Sequence, residues 1–368
     1  MNYRAIGLMS GSSLDGLDIV CAAFEVSGGA WAHRIEAAAC LPYPEEWQER
    51  LRTATSLSAL DYQLLHSDYG HYLGRCVNEF IEGHDLQYRV SLVASHGHTT
   101  FHLPPRMTGQ LGCGAALAAE TGLPVVSDLR ALDVALGGQG APIVPMGERL
   151  LFPDTRWFLN IGGIANLTAS SDGGARQVAF DTCPANRVLN MLAAHAGAAY
   201  DEDGRIAASG RVDEMVLADL DALPYYAMPY PKSLANDFGT DTVYPILVSS
   251  GLSTADALRT CVEHIARQVA HSVAQVIERG DGPPSDGGTL LVTGGGALNG
   301  FLVRRIDEHL QPMRLRAEPA DPLIANYKEA LVMALLGVLR WREEATTMPD
   351  VTGASRAGIG GALWMGQP

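Results

Sequence analysis

Residues 7–20 read GLMSGSSLDGLDIV: an apolar start, a small polar cluster spanning Gly11, Ser12, Ser13, Leu14, Asp15 and Gly16, then Leu17, Asp18 and an apolar run again. A lysine-bearing phosphate loop needs Gly-x-x-x-x-Gly-Lys-Ser/Thr running into a helix, and no lysine comes after Gly16. The chain continues instead as LDIVCAAFEV, β-branched and apolar. That run predicts a second strand, and the cluster becomes the turn of a hairpin. Glycines at 11 and 16 let backbone N–H groups approach an anion, and Ser10, Ser12 and Ser13 add hydroxyl donors. Such a turn holds phosphate without a lysine, although the same residues also fill ordinary solvated turns.

Outward from the hairpin, AWAHRIEAAA predicts a third antiparallel strand and LSALDYQLLHSDYGHYLGRCVNEFIEG a long helix. VSLVASHG then predicts a buried strand ending in a polar loop, AALAAETG a helix stopped by Gly122, and LPVVSDL another strand. The glycine-rich stretch Ala135 to Pro145, ALGGQGAPIVP, reads as a hinge or domain crossover. Beyond it RWFLNIGG, IANLTAS and RQVAFDT repeat the opening order of strand, turn, strand, turn, strand. Helices come next, then TLLVTGGGALNG, a strand broken by Gly294, Gly295 and Gly296, the apolar helix YKEALVMALLGVLRW and a glycine-rich tail. Two halves with one plan imply a duplicated α/β architecture with a ligand cleft between two lobes. The expected division is 1–130 with the tail 346–368 packing back on it, and 131–345.

The chain has 368 residues, enough for about two domains. A net charge of -15 opposes a general nucleic-acid or acidic-membrane binder. Six cysteines without a Cys-x-x-Cys pair indicate neither a zinc site nor a disulfide framework, and fit reduced thiols in the cytoplasm. No uninterrupted run of ~18 apolar residues suggests a membrane span, and the N-terminus lacks a signal-type segment.

Three glycine turns interrupt strands: the opening hairpin, NIGGIAN with Asn160, Gly162 and Gly163, and TGGGALN with Asn299. Their order resembles the sugar kinase, heat-shock protein 70 and actin superfamily, in which two hairpins grip phosphates and the third turn lets a nucleoside lie on bare backbone. More narrowly, GLMSGSSLDGLD, ASHGHTTFH, GGQGAPIVP, LNIGGIANL, FDTCPAN, PKSL, TGGGALN and VTGAS resemble, in order, the signature blocks of anhydro-N-acetylmuramic acid kinase. The resemblance implies a two-lobed actin-like ATPase fold of duplicated ribonuclease H type. It also implies a cytoplasmic enzyme, commonly a homodimer, that uses ATP, Mg2+ and water to convert 1,6-anhydro-N-acetylmuramic acid into N-acetylmuramic acid 6-phosphate in peptidoglycan recycling.

FDTCPANRVLN places Asp181 at the end of an apolar strand, before Pro184 and a helix. A carboxylate on a rigid element there is placed to take a proton from water attacking the anomeric carbon, and the resemblance makes it that base. Helix capping is the competing role. Asp15 and Asp18 are candidates to orient the metal or its waters, with Asp15 preferred because it lies in the turn. The resemblance puts Ser95, His96, Gly97 and Thr99 at the sugar. His96, His98 and His102 lack a partnering carboxylate motif, so hydrogen bonding outweighs zinc. Arg130 suits a lactyl carboxylate in bidentate fashion and equally an internal ion pair with Asp128 or Asp133. Lys232 lies in a matched block, with a surface loop as its alternative, and Glu329 is a candidate sugar contact. The chain departs from the family pattern at His98, Cys113, Cys183, Ala185 and Asn190, all on the sugar side, which bears on which sugar is used. A kinase of a related anhydro or amino sugar, an ATP-switched binding module and a plain sugar hydrolase are the alternatives.

Overall fold

The computed structural model describes residues 1–11, 14–171, 176–235, 237–283 and 287–366. The chain divides into two compact units, Met1–Phe152 with Tyr327–Pro368, and Pro153–Asn326.

In the first unit β1 (Asn2–Ser10), β2 (Gly16–Ser27) and β3 (Ala30–Pro42) form an antiparallel meander, with Ser10 opposite Leu17 at the turn. Strands β4 (Leu92–Ser95) and β7 (Val125–Ser127) add in parallel on the other side of β1, and the C-terminal strand Ala362–Trp364 closes that edge antiparallel to β7. The sheet order therefore centres on β1 and β4, whose residues are buried nearly without alternation, as strands covered on both faces must be. Strand β3 at the outer edge alternates exposed and half-buried residues instead. A separate hairpin, β5 (His98–Leu103) with β6 (Met107–Leu111), comes after β4 where the sequence suggests only a loop.

One face of this sheet is covered by the helix Ala59–Gly83, capped by Ser58, whose buried Leu65, Tyr69, Leu73 and Val77 recur every fourth residue. The other is covered by the helix Pro322–Trp341. A Cβ at Gly7 of β1 would lie 1.9 Å from the Ala330 carbonyl oxygen, and one at Gly337 would lie 2.6 Å from Ala94 Cβ, so glycine at both positions sets the contact distance. The helix has the length and apolarity of a membrane span, yet 67% of its most apolar window is buried.

In the second unit β8 (Trp157–Ile161), β9 (Ile164–Ser171) and β10 (Arg176–Pro184) repeat the meander, and β11 (Gly288–Thr293) and β12 (Leu315–Pro319) add in parallel beside β8. Counting the strands of each sheet in chain order, both run third, second, first, fourth, fifth, and the first sheet adds Ala362–Trp364 as a sixth strand at its edge. That is the ribonuclease H-like order, present twice. The helix Thr254–Arg279 packs its Leu258, Val262, Ile265, Val269 and Val276 into this unit's own core, and Gly280 ends it at φ +70°.

The boundaries fall at 152/153 and 326/327, not at 130 and 345. Two contacts account for the shift. Gly147, in the helix Val144–Leu151, packs on Val332, and Lys328 Nζ meets Glu148 Oε1 at 2.5 Å with both side chains buried. The stretch Ala135 to Pro145 is likewise no crossover: Gly140 N–H donates to Asp133 Oδ2 at 2.7 Å and Gln139 N–H to the Thr352 carbonyl at 2.8 Å, which fastens it inside the first unit.

Candidate active site

The opening hairpin forms as its sequence predicts; Ser12 and Ser13 lie outside the described residues. Leu14 takes φ +59°, a left-handed conformation costly for a γ-branched residue and typical of a backbone held for a purpose. A Cβ at Gly16 would lie 2.8 Å from both Cys40 Sγ and the Leu41 carbonyl oxygen, so β3 crowds the turn from beneath. Asp15 is exposed, and its carbonyl accepts the Tyr43 N–H at 3.2 Å. Asp18 is half-buried opposite Cys40, and burial lifts its carboxyl to about 6 against a hydrogen bond from that thiol. Asp15 and Glu329 lie close enough to push in the same direction as burial.

The polar end of β4 forms a connected network. His96 is 4% exposed, and burial, reinforced by the neighbouring Arg130, lowers its pKa to about 3. Arg130 donates from Nε to His96 Nε2 at 2.8 Å and from Nη1 to the Gly140 carbonyl at 2.7 Å. Since Nε2 accepts, the neutral ring carries its proton on Nδ1, which donates to the Gly97 carbonyl at 2.9 Å. Arg130 leans on these two neutral groups and not on Asp128 or Asp133. Asp133, 1% exposed, is instead occupied by Gly140 N–H and by the Thr352 hydroxyl at 2.7 Å. Burial lowers Arg130 to about 10, and the charges of Glu329 and Asp133 oppose that.

Ser95 Oγ accepts the Gly97 N–H at 3.2 Å, and Gly97 turns at φ +70°. Thr99 sits exposed on β5. The three histidines do not converge: His98 Nδ1 pairs with Ser10 Oγ at 3.2 Å and His102 Nδ1 with Thr108 Oγ1 at 3.1 Å.

In the second unit the parallel pairing of β8 with β11 places Thr293 beside Asn160, and the Thr293 hydroxyl donates to Asn160 Oδ1 at 3.3 Å. The two glycine turns at the ends of these strands touch. A Cβ at Gly294, at φ +79°, would lie 2.7 Å from the Ile161 carbonyl oxygen, and one at Gly296 would lie 2.3 Å from Ile161 Cγ2. Glycine at these two positions serves the contact between turns. At Gly162, Gly163 and Gly295 a Cβ would meet its nearest atom at 3.6 Å or more, an ordinary van der Waals contact, so no neighbour requires glycine there. Asn299 caps the helix Gly300–Leu310, its Oδ1 accepting the Leu302 N–H at 3.0 Å.

Asp181 does not cap a helix. A bulge between Asp181 and Cys183 re-aims the end of β10. There Asp181 Oδ2 accepts the Leu234 N–H at 2.9 Å, its amide donates to the Lys232 carbonyl at 3.1 Å, and its own carbonyl accepts the Tyr225 hydroxyl at 2.7 Å. Burial raises the carboxyl to about 6, with the Leu234 N–H opposing. A carboxyl shifted this way is suited to accept a proton near neutral pH. Lys232 is buried, 8% exposed, contrary to a surface loop. No local sequence signal links Tyr225, Lys232 and Leu234 to Asp181, some fifty residues away; only the PKSL block points to that stretch. Cys183 and Ala185 are fully buried, and burial pushes the Cys183 thiol up to about 12, which makes it packing and not a nucleophile. Asn190 is exposed, and Cys113 precedes the helix Gly114–Thr121.

The sequence profile for anhydro-N-acetylmuramic acid kinase matches residues 3–366. The anhydro-N-acetylmuramic acid kinase of Salinibacter ruber is 38% identical, with 95% of this chain and 93% of that protein covered. The one of Streptomyces coelicolor is 37% identical over 99% of this chain and 94% of its own length. Among solved structures, the activator of the 2-hydroxyisocaproyl-CoA dehydratase from Clostridium difficile with bound ADPNP aligns with a TM-score of 0.46 and 15% identity, covering 92% of this chain and 96% of that one. With a profile match from residue 3 to 366 and relatives of this identity along nearly their full length, the chain belongs to the anhydro-N-acetylmuramic acid kinase family.

Proposed function

We propose that this protein is an ATP-dependent anhydro-N-acetylmuramic acid kinase in which one base, Asp181, suffices for both parts of the reaction. Asp181 Oδ1 takes a proton from water as the water oxygen bonds to the anomeric carbon. The bond from that carbon to the sixth oxygen breaks, and the sixth oxygen receives the γ-phosphoryl group as ADP leaves. The observation that carries this reading is the Asp181 carboxyl itself: on a bulged strand end, raised to about 6 by burial, with one oxygen held by Leu234 N–H. A base so placed contributes about 10²–10⁴ in rate.

The nucleotide-binding residues in this reading are Gly11, Leu14, Asp15, Gly16, Leu17 and Asp18 with the backbone of Gly162, Gly163 and Gly295, supported by Asn160, Gly294 and Gly296. Asn299 acts through the helix that it caps. Mg2+ commonly binds one or two carboxylates together with substrate phosphates. The donor set of Asp15 beside Asp18 fits that pattern, and the ion would neutralise charge on the phosphates. On the sugar, Arg130, oriented by His96 and Gly140, pairs with the lactyl carboxylate, and Ser95, Gly97, Thr99 and Glu329 complete the contacts. A cytoplasmic homodimer acting in peptidoglycan recycling fits this activity. In ¹⁸O-labelled water with ATP, magnesium and 1,6-anhydro-N-acetylmuramic acid, the label should appear in the anomeric hydroxyl and not in the transferred phosphate. ATP turnover without the sugar, or label in the phosphate, refutes the reading.

A further inference from the structure

Asp181 is held by a segment whose own anchor is a buried lysine that the reaction chemistry does not require. Lys232 Nζ donates to the carbonyls of Tyr225 at 3.2 Å and Tyr226 at 3.4 Å and lies 4.6 Å from the centroid of the Tyr225 ring. Those acceptors are neutral, and burial lowers the pKa of the ammonium. A buried cation held by dipoles and a π-face is costly, so its retention calls for a compensating use.

The carbonyls that it grips are themselves fixed. The Tyr226 hydroxyl pairs with His264 Nε2 at 2.8 Å, and His264 Nδ1 lies 2.8 Å from Asp221 Oδ1, with the imidazole fully buried. From Lys232 the chain returns to Asp181, through the Lys232 carbonyl to the Asp181 amide and through the Leu234 N–H to the Asp181 carboxylate. The Tyr225 hydroxyl closes the loop on the Asp181 carbonyl.

We propose that Lys232 is a positioning residue for Asp181: its ammonium staples the Tyr225 and Tyr226 carbonyls, which sets the course of the chain so that the Leu234 N–H occupies Oδ2 and leaves Oδ1 to take the proton from water. The proposal rests on the reading of Asp181 as the base. Among the described residues the other titratable groups facing that carboxylate are Tyr225 and Cys183, both kept protonated by burial. The Leu234 N–H is therefore the group that holds the acid limb of the rate profile down.

The test is the pH dependence of kcat/KM for the sugar in the wild type and in Lys232→Met, with nucleotide affinity measured alongside. The variant should lose about tenfold or more in kcat, keep KM for ATP within about twofold, and show its acid limb displaced to higher pH. A limb at the wild-type position, whether or not kcat falls, overturns the proposal, because a merely structural role lowers the rate without moving it. Should Lys232→Met fail to fold, Lys232→Leu, which likewise offers no N–H donor to the two carbonyls, is read by the same criterion. Asp181→Asn run in parallel separates the two ideas: near-normal turnover there removes the base itself, whatever Lys232 does.

Discussion

At Asp181 the proposed role as base and the stability of the fold pull in opposite directions. Its carboxyl is raised from 3.8 to about 6, so the folded protein binds that proton more tightly than the unfolded chain does. The carboxyl therefore costs nothing below pH ~4, and the cost grows through the window from 4 to 6 and stays constant above it. Asp181→Asn keeps an acceptor for the Leu234 N–H and removes the buried charge. It should lose about 10²-fold or more in turnover and yet unfold at higher denaturant concentration at pH 8, by on the order of 1–2 kcal/mol, with no gain at pH 4. Denaturant titrations at the two pH values check it, and a variant less stable at pH 8 would contradict the burial argument. At Arg130, lysine retains the charge but cannot reach both His96 and Gly140 with a planar fork. Arg130→Lys should raise KM for the sugar by about tenfold while leaving KM for ATP unchanged, as steady-state kinetics with each substrate varied would show.

At the level of elements, glycines that look alike in sequence separate into kinds. Gly294 turns at φ +79° with backbone 2.7 Å from where a Cβ would stand, whereas Gly122 has φ +69° and open space around it. Gly122→Ala should cost about 1 kcal/mol, the strain of the left-handed backbone alone. Gly294→Ala adds a clash against β8 and should cost about 3 kcal/mol or more, with nucleotide affinity falling as the Asn160 turn is pushed aside. Thermal melts of both variants and a nucleotide titration of the second test the distinction. The meanders, the long helices and the turn at Gly16 were legible because each writes its own period or breaker into adjacent residues. The β5–β6 hairpin was not, since its Pro104–Pro105 turn and polar strands carry little alternation against a core.

For the whole molecule, the order of the chain decides what folds alone. Pro153–Asn326 is continuous and holds its own five-stranded sheet and core. The first unit is not continuous. Met1–Phe152 lacks the helix Pro322–Trp341 that covers Gly7 and Ala94, and the strand Ala362–Trp364 that pairs with β7. The fragment 153–326 should therefore give a cooperative melt, and 1–152 should remain unfolded or aggregate until the C-terminal segment is supplied. Calorimetry of the two fragments decides, and a cooperative 1–152 would show that the returning helix is dispensable.

What the sequence by itself determined is the set of elements apart from the β5–β6 hairpin, their duplicated order and the blocks that mark the family, because each depends on residues a few positions apart. The tertiary structure alone decided where the units divide, that Arg130 leans on His96 and not on an aspartate, and that Lys232 is buried next to Asp181. Those outcomes depend on which distant groups compete for one buried donor or charge, and desolvation settles that competition only once the chain has packed.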